Sequence, residues 1–145
     1  MKSERLFVFM YTYHYTLIYN LTKVGKAMIV GIGIDIVEIR RIEGLLKKNN
    51  RFLERTLTKG EIAQYKDLRS ERRQIEYVAG RFATKEAFAK ARGTGIGQLQ
   101  FTDIEVLTTE RGAPSLKVAG YENMSLHLSI SHSEQYAVAQ VIIEK

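Results

Sequence analysis

The 145-residue chain contains no cysteine, which removes disulfides, thiolate metal sites and thiol nucleophiles from consideration. It has no run of about 20 apolar residues, so no membrane-spanning helix is expected. The glycines at 31 and 33 do not extend to a G-x-G-x-x-G, so they are no dinucleotide fingerprint. A second glycine-rich run, Gly93–Gly97, follows a helical stretch and so offers no Walker-type loop. No nucleophile elbow accompanies Ser129, Ser131, His132 and Ser133, which argues against a serine hydrolase. What remains is an ordinary globular composition, 45% hydrophobic and 26% charged. The length suffices for one domain with a real core, and the lack of cysteine fits a reducing cytoplasm.

The net charge of +6 favours an anionic partner: nucleic acid, a phosphate-bearing small molecule or an acidic protein. Half of that excess sits in residues 1–27, where Lys2, Arg5, Lys23 and Lys26 face only Glu4. Within them, Leu6–Leu21 is aromatic and lacks a helical period. Tyr, Thr, His and Asn interrupt it, and no small-residue cleavage site follows, which argues against a signal peptide. An extra ordered strand or interfacial segment is one alternative. The expectation adopted is that Met28 is the natural start, with 1–27 as upstream sequence and 28–145 as the domain.

Ile29–Val37 alternates with period two. Val30, Ile32, Ile34 and Ile36 share one face. Gly31, Gly33 and Asp35 share the other, where a backbone or ligand can approach closely. Glu38–Lys48 is an amphipathic helix with Ile39, Ile42, Leu45 and Leu46 inward. Arg51–Thr58 connects to a helix over Lys59–Tyr65, started by a capping box between Thr58 and Glu61. A long helix follows over about Arg72–Arg92, stopped by Gly93. Strands are predicted at Phe101–Leu107, Ser115–Val118, Leu126–Ser131 and Tyr136–Ile143. The last is nearly all apolar, which predicts a central strand covered on both faces.

On the long helix Ile75, Val78, Ala79, Phe82, Ala83 and Ala89 form one broad apolar arc, and Glu86 falls in its middle. A carboxylate there needs a partner. Lys90 at i+4 supplies one in the favoured order; a divalent cation shared with Asp35 is the other choice, since oxygen-only ligation suits Mg²⁺. Asp35 alternatively caps the following helix. Arg81, Lys85, Lys90 and Arg92 with the closing glycines could hold phosphate, or form a solvated face. His132 could donate to a phosphate, or simply end a strand.

The blocks GIGIDIVEIRRI, RTLTKGE, AGRFATKEAFAKARGTGIG, FTDIEV, the Gly112-Ala113-Pro114 turn and LSISHSEQYAVAQVIIE occur in this order. Together they closely resemble the bacterial holo-acyl-carrier-protein synthases, small 4′-phosphopantetheinyl transferases of fatty acid synthesis. The resemblance spans Met28–Lys145. It implies an α+β fold, a small antiparallel sheet packed with a long helix, assembled as a homotrimer with active sites between subunits. It also implies transfer of phosphopantetheine from coenzyme A to a serine of acyl carrier protein, with Mg²⁺ and release of adenosine 3′,5′-bisphosphate. The family's metal ligands match Asp35 and Glu86, and the last lysine of its KEAxxK motif matches Lys90. By the same resemblance Gly112, Pro114, His132 and Ser133, with Arg81, belong to the coenzyme A site, and Arg41 faces the acidic carrier protein. The rival is a basic nucleic-acid-binding module. Against it, aromatic residues are not interleaved with the basic ones of the main domain.

Overall fold

A computed structural model describes residues 28–145 except 50, 96 and 98; the expectations for residues 1–27 lie outside the described residues. Strand β1 (Ile29–Glu38) leads directly into helix α1 (Ile39–Lys48). Helix α2 (Phe52–Thr56) is one short turn inside the predicted connection. Helix α3 (Lys59–Lys66) starts with the predicted capping box: Thr58 Oγ1 accepts from Glu61 N, and Glu61 Oε2 from Thr58 N. Helix α4 (Glu71–Arg92) is capped by Ser70, whose side chain accepts from Arg73 N. It ends at Gly93, whose φ of 78° is the left-handed stop that glycine adopts most cheaply.

The predicted strand from Phe101 begins late. Asp103 accepts from Gln100 N and curls Phe101–Asp103 into a 3₁₀ turn before β2 (Ile104–Thr108). Strands β2 and β3 (Pro114–Val118) form an antiparallel two-stranded ribbon. Strands β4 (Ser125–His132) and β5 (Tyr136–Glu144) join β1 in an antiparallel sheet of order β1-β5-β4.

This sheet lies against α4 by the glycine face of β1, the face expected to admit a close backbone. Val30, Ile32, Ile34 and Ile36 point away from the core, with Ile34 57% and Ile36 62% exposed. The glycine face is the inner one. A Cβ at Gly31 would collide with Ala91 O, and one at Gly33 with Ala87 O. The two glycines let β1 lie directly on the helix backbone. The inner face continues through Ala137, Ala139, Val141 and Ile143 of β5, all buried. Strand β5 is central, as predicted, but only this face is fully covered among the described residues. On its other face Tyr136 and Gln140 are exposed, and Val138 and Ile142 half-buried.

Helix α4 is buried around most of its circumference beyond Gln74. The exceptions from there to Ala89, Glu76, Phe82 and Glu86, are only half-buried, and Lys90 is exposed. The apolar-arc expectation is corrected here. Glu86 does not sit in the middle of the buried side. It lies with Phe82 and Lys90 on a strip at i, i+4, i+8 that the neighbouring elements leave open.

Candidate active site

Asp35 lies on the inner face of β1, two residues beyond Gly33 and four before the first residue of α1. It does not cap that helix: the cap position is Glu38, which makes no side-chain cap bond. Lys90 Nζ reaches across from α4 and donates to Asp35 Oδ1 at 2.7 Å and to Ile34 O at 3.0 Å. The expected i,i+4 partner of Glu86 is thus committed to the other acid.

Glu86 lies close enough to Asp35 to feel its charge. Its carboxyl is pushed above the usual carboxylate range, first by burial and then by the negative charge of Asp35. Lys90 and Arg41 act in the opposite direction. Two acids from β1 and α4 and two cations from α4 and α1 therefore meet in one half-open place. Two unlike tasks follow from that chemistry. Neighbouring carboxylates with free oxygens suit a hard divalent cation that keeps other positions for water or substrate oxygens. Lys90 and Arg41 suit an anionic group beside it.

Two other members of the predicted cationic set are engaged inside the protein. Lys85 is wholly buried and paired with Glu61 at 2.6 Å. Burial pushes its ammonium below the usual lysine range, against the raising effect of Glu61. This corrects the expectation that Lys85 could bind phosphate. Arg81, expected at the coenzyme A site, is 7% exposed. Its Nη2 donates to Thr108 Oγ1 at 2.7 Å and its Nε to Val106 O at 3.3 Å, and its guanidinium stacks 3.5 Å over the Tyr77 ring. These contacts make it a clamp between α4 and β2. Glu61 was visible in the sequence only as half of a capping box. Nothing local showed that its carboxylate would also meet a lysine 24 residues away.

The remaining expected residues lie in two turns. Gly112 turns the β2–β3 ribbon with φ of 81°, its N–H bonded to Thr109 O, and Pro114 opens β3 opposite Thr108. His132 ends β4, exposed, two register positions past the Asp35 row of the sheet and two strands away, about 10 Å laterally. Ser133 organises the β4–β5 turn: its Oγ accepts from Tyr136 N and Gln135 N. That turn is tied to the body by Ile39 N bonding Gln135 O and Arg72 Nη2 bonding Glu134 O. The structure thus joins Asp35, Glu86 and Lys90 within one chain and leaves both turns outside that cluster.

Residues 31–141 match the 4′-phosphopantetheinyl transferase superfamily. The chain belongs to this family. It is 56% identical over 117 residues to a holo-[acyl-carrier-protein] synthase of Oceanobacillus iheyensis, covering 81% of this chain and 98% of the relative. The identity to that of Geobacillus kaustophilus is 57% over 119 residues, covering 81% and 91%. Among solved structures, a holo-(acyl-carrier-protein) synthase from Bacillus anthracis in complex with coenzyme A (3′,5′-ADP) superposes with a TM-score of 0.74 at 51% identity. It covers 81% of this chain and 98% of that one. The transferase of Helicobacter pylori, also in complex with coenzyme A, gives 0.68 at 41% identity, covering 77% and 98%. The α+β architecture of this phosphopantetheinyl transferase is therefore the family's own.

Proposed function

We propose that this chain is a holo-[acyl-carrier-protein] synthase. It transfers 4′-phosphopantetheine from coenzyme A to a serine of apo-acyl carrier protein and releases adenosine 3′,5′-bisphosphate. The observation that carries this reading is the meeting of Asp35, Glu86 and Lys90 in a chain more than half identical to proteins so named. The rival nucleic-acid module has no such support.

Attack of a hydroxyl on a pyrophosphate phosphorus demands charge neutralisation and alignment more than covalent help. Lys90, fixed by Asp35 and Ile34 O, presents an ammonium to the pyrophosphate. The donor set of Asp35 and Glu86 fits Mg²⁺: two oxygen ligands, close enough to repel, with an open side. A cation held there by Asp35 and Glu86 would supply positive charge beside the pyrophosphate. Arg41, exposed on α1 beside this cluster, offers a cation to the acidic carrier protein.

The outward stripe of Val30, Ile32, Ile34 and Ile36 supports self-association, since an exposed apolar patch of this kind marks an interface. In a homotrimer a neighbouring chain would bring Gly112, Pro114, His132 and Ser133 to the coenzyme A that Asp35 and Glu86 engage. That arrangement accounts for the distance of those turns from the acid pair. Among the described residues no helix is long and apolar enough to cross a membrane, and the reading places the enzyme in the cytoplasm.

The deciding test is mass spectrometry of apo-acyl carrier protein after incubation with the chain, coenzyme A and Mg²⁺, with and without residues 1–27. The carrier should gain one phosphopantetheine arm, and no gain on several apo carriers would refute the proposal.

A further inference from the structure

The Lys85–Glu61 ion pair is used by no part of the transfer described above. Both side chains are wholly buried, with Lys85 Nζ 2.6 Å from Glu61 Oε2. Lys85 Nζ also donates to Thr56 O at 2.6 Å. Glu61 Oε2 accepts from Thr58 N at 2.7 Å and Oε1 from Val106 N at 2.9 Å. The Tyr77 hydroxyl donates to Glu61 O at 3.1 Å. One pair of side chains thus ties the end of α2, the start of α3, strand β2 and the middle of α4.

A buried ion pair is a poor source of stability, because apolar side chains of equal volume often do as well. Its bonds are directional, however, and they fix geometry. Lys85 immediately precedes Glu86, so the two side chains leave the helix about 100° apart. Holding Lys85 Nζ between Thr56 O and Glu61 sets the rotation of α4 about its axis. On the sheet side, Gly31 and Gly33 rest on the Ala91 and Ala87 carbonyls and set the separation of α4 from β1. Rotation and separation together determine where Glu86 meets Asp35.

We propose that Lys85 and Glu61 are positioning residues for the Asp35–Glu86 cation site: they fix the rotation of α4 that delivers Glu86 to Asp35. The inference rests on the reading of those two acids as a Mg²⁺ site.

The test measures Mn²⁺ binding to the full chain by electron paramagnetic resonance, beside steady-state transfer kinetics. Lys85→Gln combined with Glu61→Gln replaces the pair by a neutral one. Thr58→Ala removes the hydroxyl that accepts from Glu61 N and so loosens the backbone that carries Glu61, at a cap cost of about 1 kcal/mol, which leaves the fold intact. Ile143→Val, at the far end of the inner face, controls for lost stability alone. The double variant should weaken Mn²⁺ binding about tenfold or more, the usual effect of removing a group that orients a ligand. Its kcat should fall at saturating coenzyme A while the KM for coenzyme A stays. Thr58→Ala should move the same quantities less, Thr58→Ser should restore them, and Ile143→Val should move only the melting temperature. Wild-type Mn²⁺ affinity in the folded variants, or equal weakening by Ile143→Val, overturns the inference. If the double variant does not fold, Thr58→Ala alone decides. Should the wild type show no Mn²⁺ binding that Asp35→Asn abolishes, the metal-site reading falls and this inference with it; if wild-type binding is normal and only the variants fail to differ, the inference alone falls.

Discussion

The two faces of the β1-β5-β4 sheet use apolar residues in opposite ways. The inner face is built from small side chains, Gly31, Gly33, Ala137 and Ala139, beside the larger Val141 and Ile143, and it is buried. The outer face carries Val30, Ile32, Ile34 and Ile36 on β1, and all are exposed. Side-chain bulk therefore does not identify the chain's own core here. A helix packed backbone-to-backbone on a strand requires the absence of side chains, so the glycine face is where the core lies. The bulky face is apolar for a different reason, which the proposed self-association supplies.

The comparison can be broken most severely at Gly33. Gly33→Val places side-chain atoms against Ala87 O and Ala91 N, backbone atoms that cannot step aside. A loss above about 4 kcal/mol is expected, beyond ordinary overpacking, measured as urea unfolding free energy; a loss below 1 kcal/mol would show that α4 does not sit on β1 this closely. Next comes the acid that the same face presents. Asp35→Asn or Glu86→Gln should lower kcat/KM for carrier modification about 10²–10³-fold with the melting curve still cooperative. Near-wild-type turnover would remove both from the site.

The outer face sharpens the contrast with a smaller effect. Ile34→Glu should dissociate the assembly, removing the roughly 1.5–3 kcal/mol that burial of one large apolar side chain contributes. Sedimentation should show protomers while circular dichroism retains the sheet. An unchanged oligomer, or a wild type that sediments as a monomer, would leave the exposed stripe without this explanation.

The smallest effect is electrostatic. Glu86 has its folded-state pKa raised, so between the ordinary carboxylate value and that raised value the folded chain holds more protons than the unfolded one. Stability contributed by this group must therefore fall as pH rises through that window, and lie flat below it. Glu86→Gln should remove that slope, and Asp35→Asn should reduce it, because Asp35 is the second cause of the shift. Unfolding free energy against pH in metal-free buffer would read this, and a slope of opposite sign would contradict the assigned environment.

Much of the framework of the candidate site was legible because its signals are local. Thr58 and Glu61 at capping-box spacing start α3 as expected, Gly93 stops α4, and Asp35 ends the glycine face of β1. The cationic set was less legible. Lys85, Lys90 and Arg81 share one helix and similar charge, yet one is paired with Glu61, one with Asp35, and one is stacked on Tyr77 while bonded to Thr108. Their fates depend on elements far along the chain.

By itself, the sequence determined the elements, the caps, the two faces of β1 and, through its ordered blocks, the family. Periodicity does this because it reports which residues share a side. It cannot report which side another element will cover. Only the tertiary structure decided that α4 takes the glycine face, that Glu86 lies on the open strip of the helix, and that Lys90 bridges to Asp35 instead of pairing with Glu86. Each of these is a contact between elements distant in sequence, where close packing and charge pairing select among partners that local chemistry leaves equivalent.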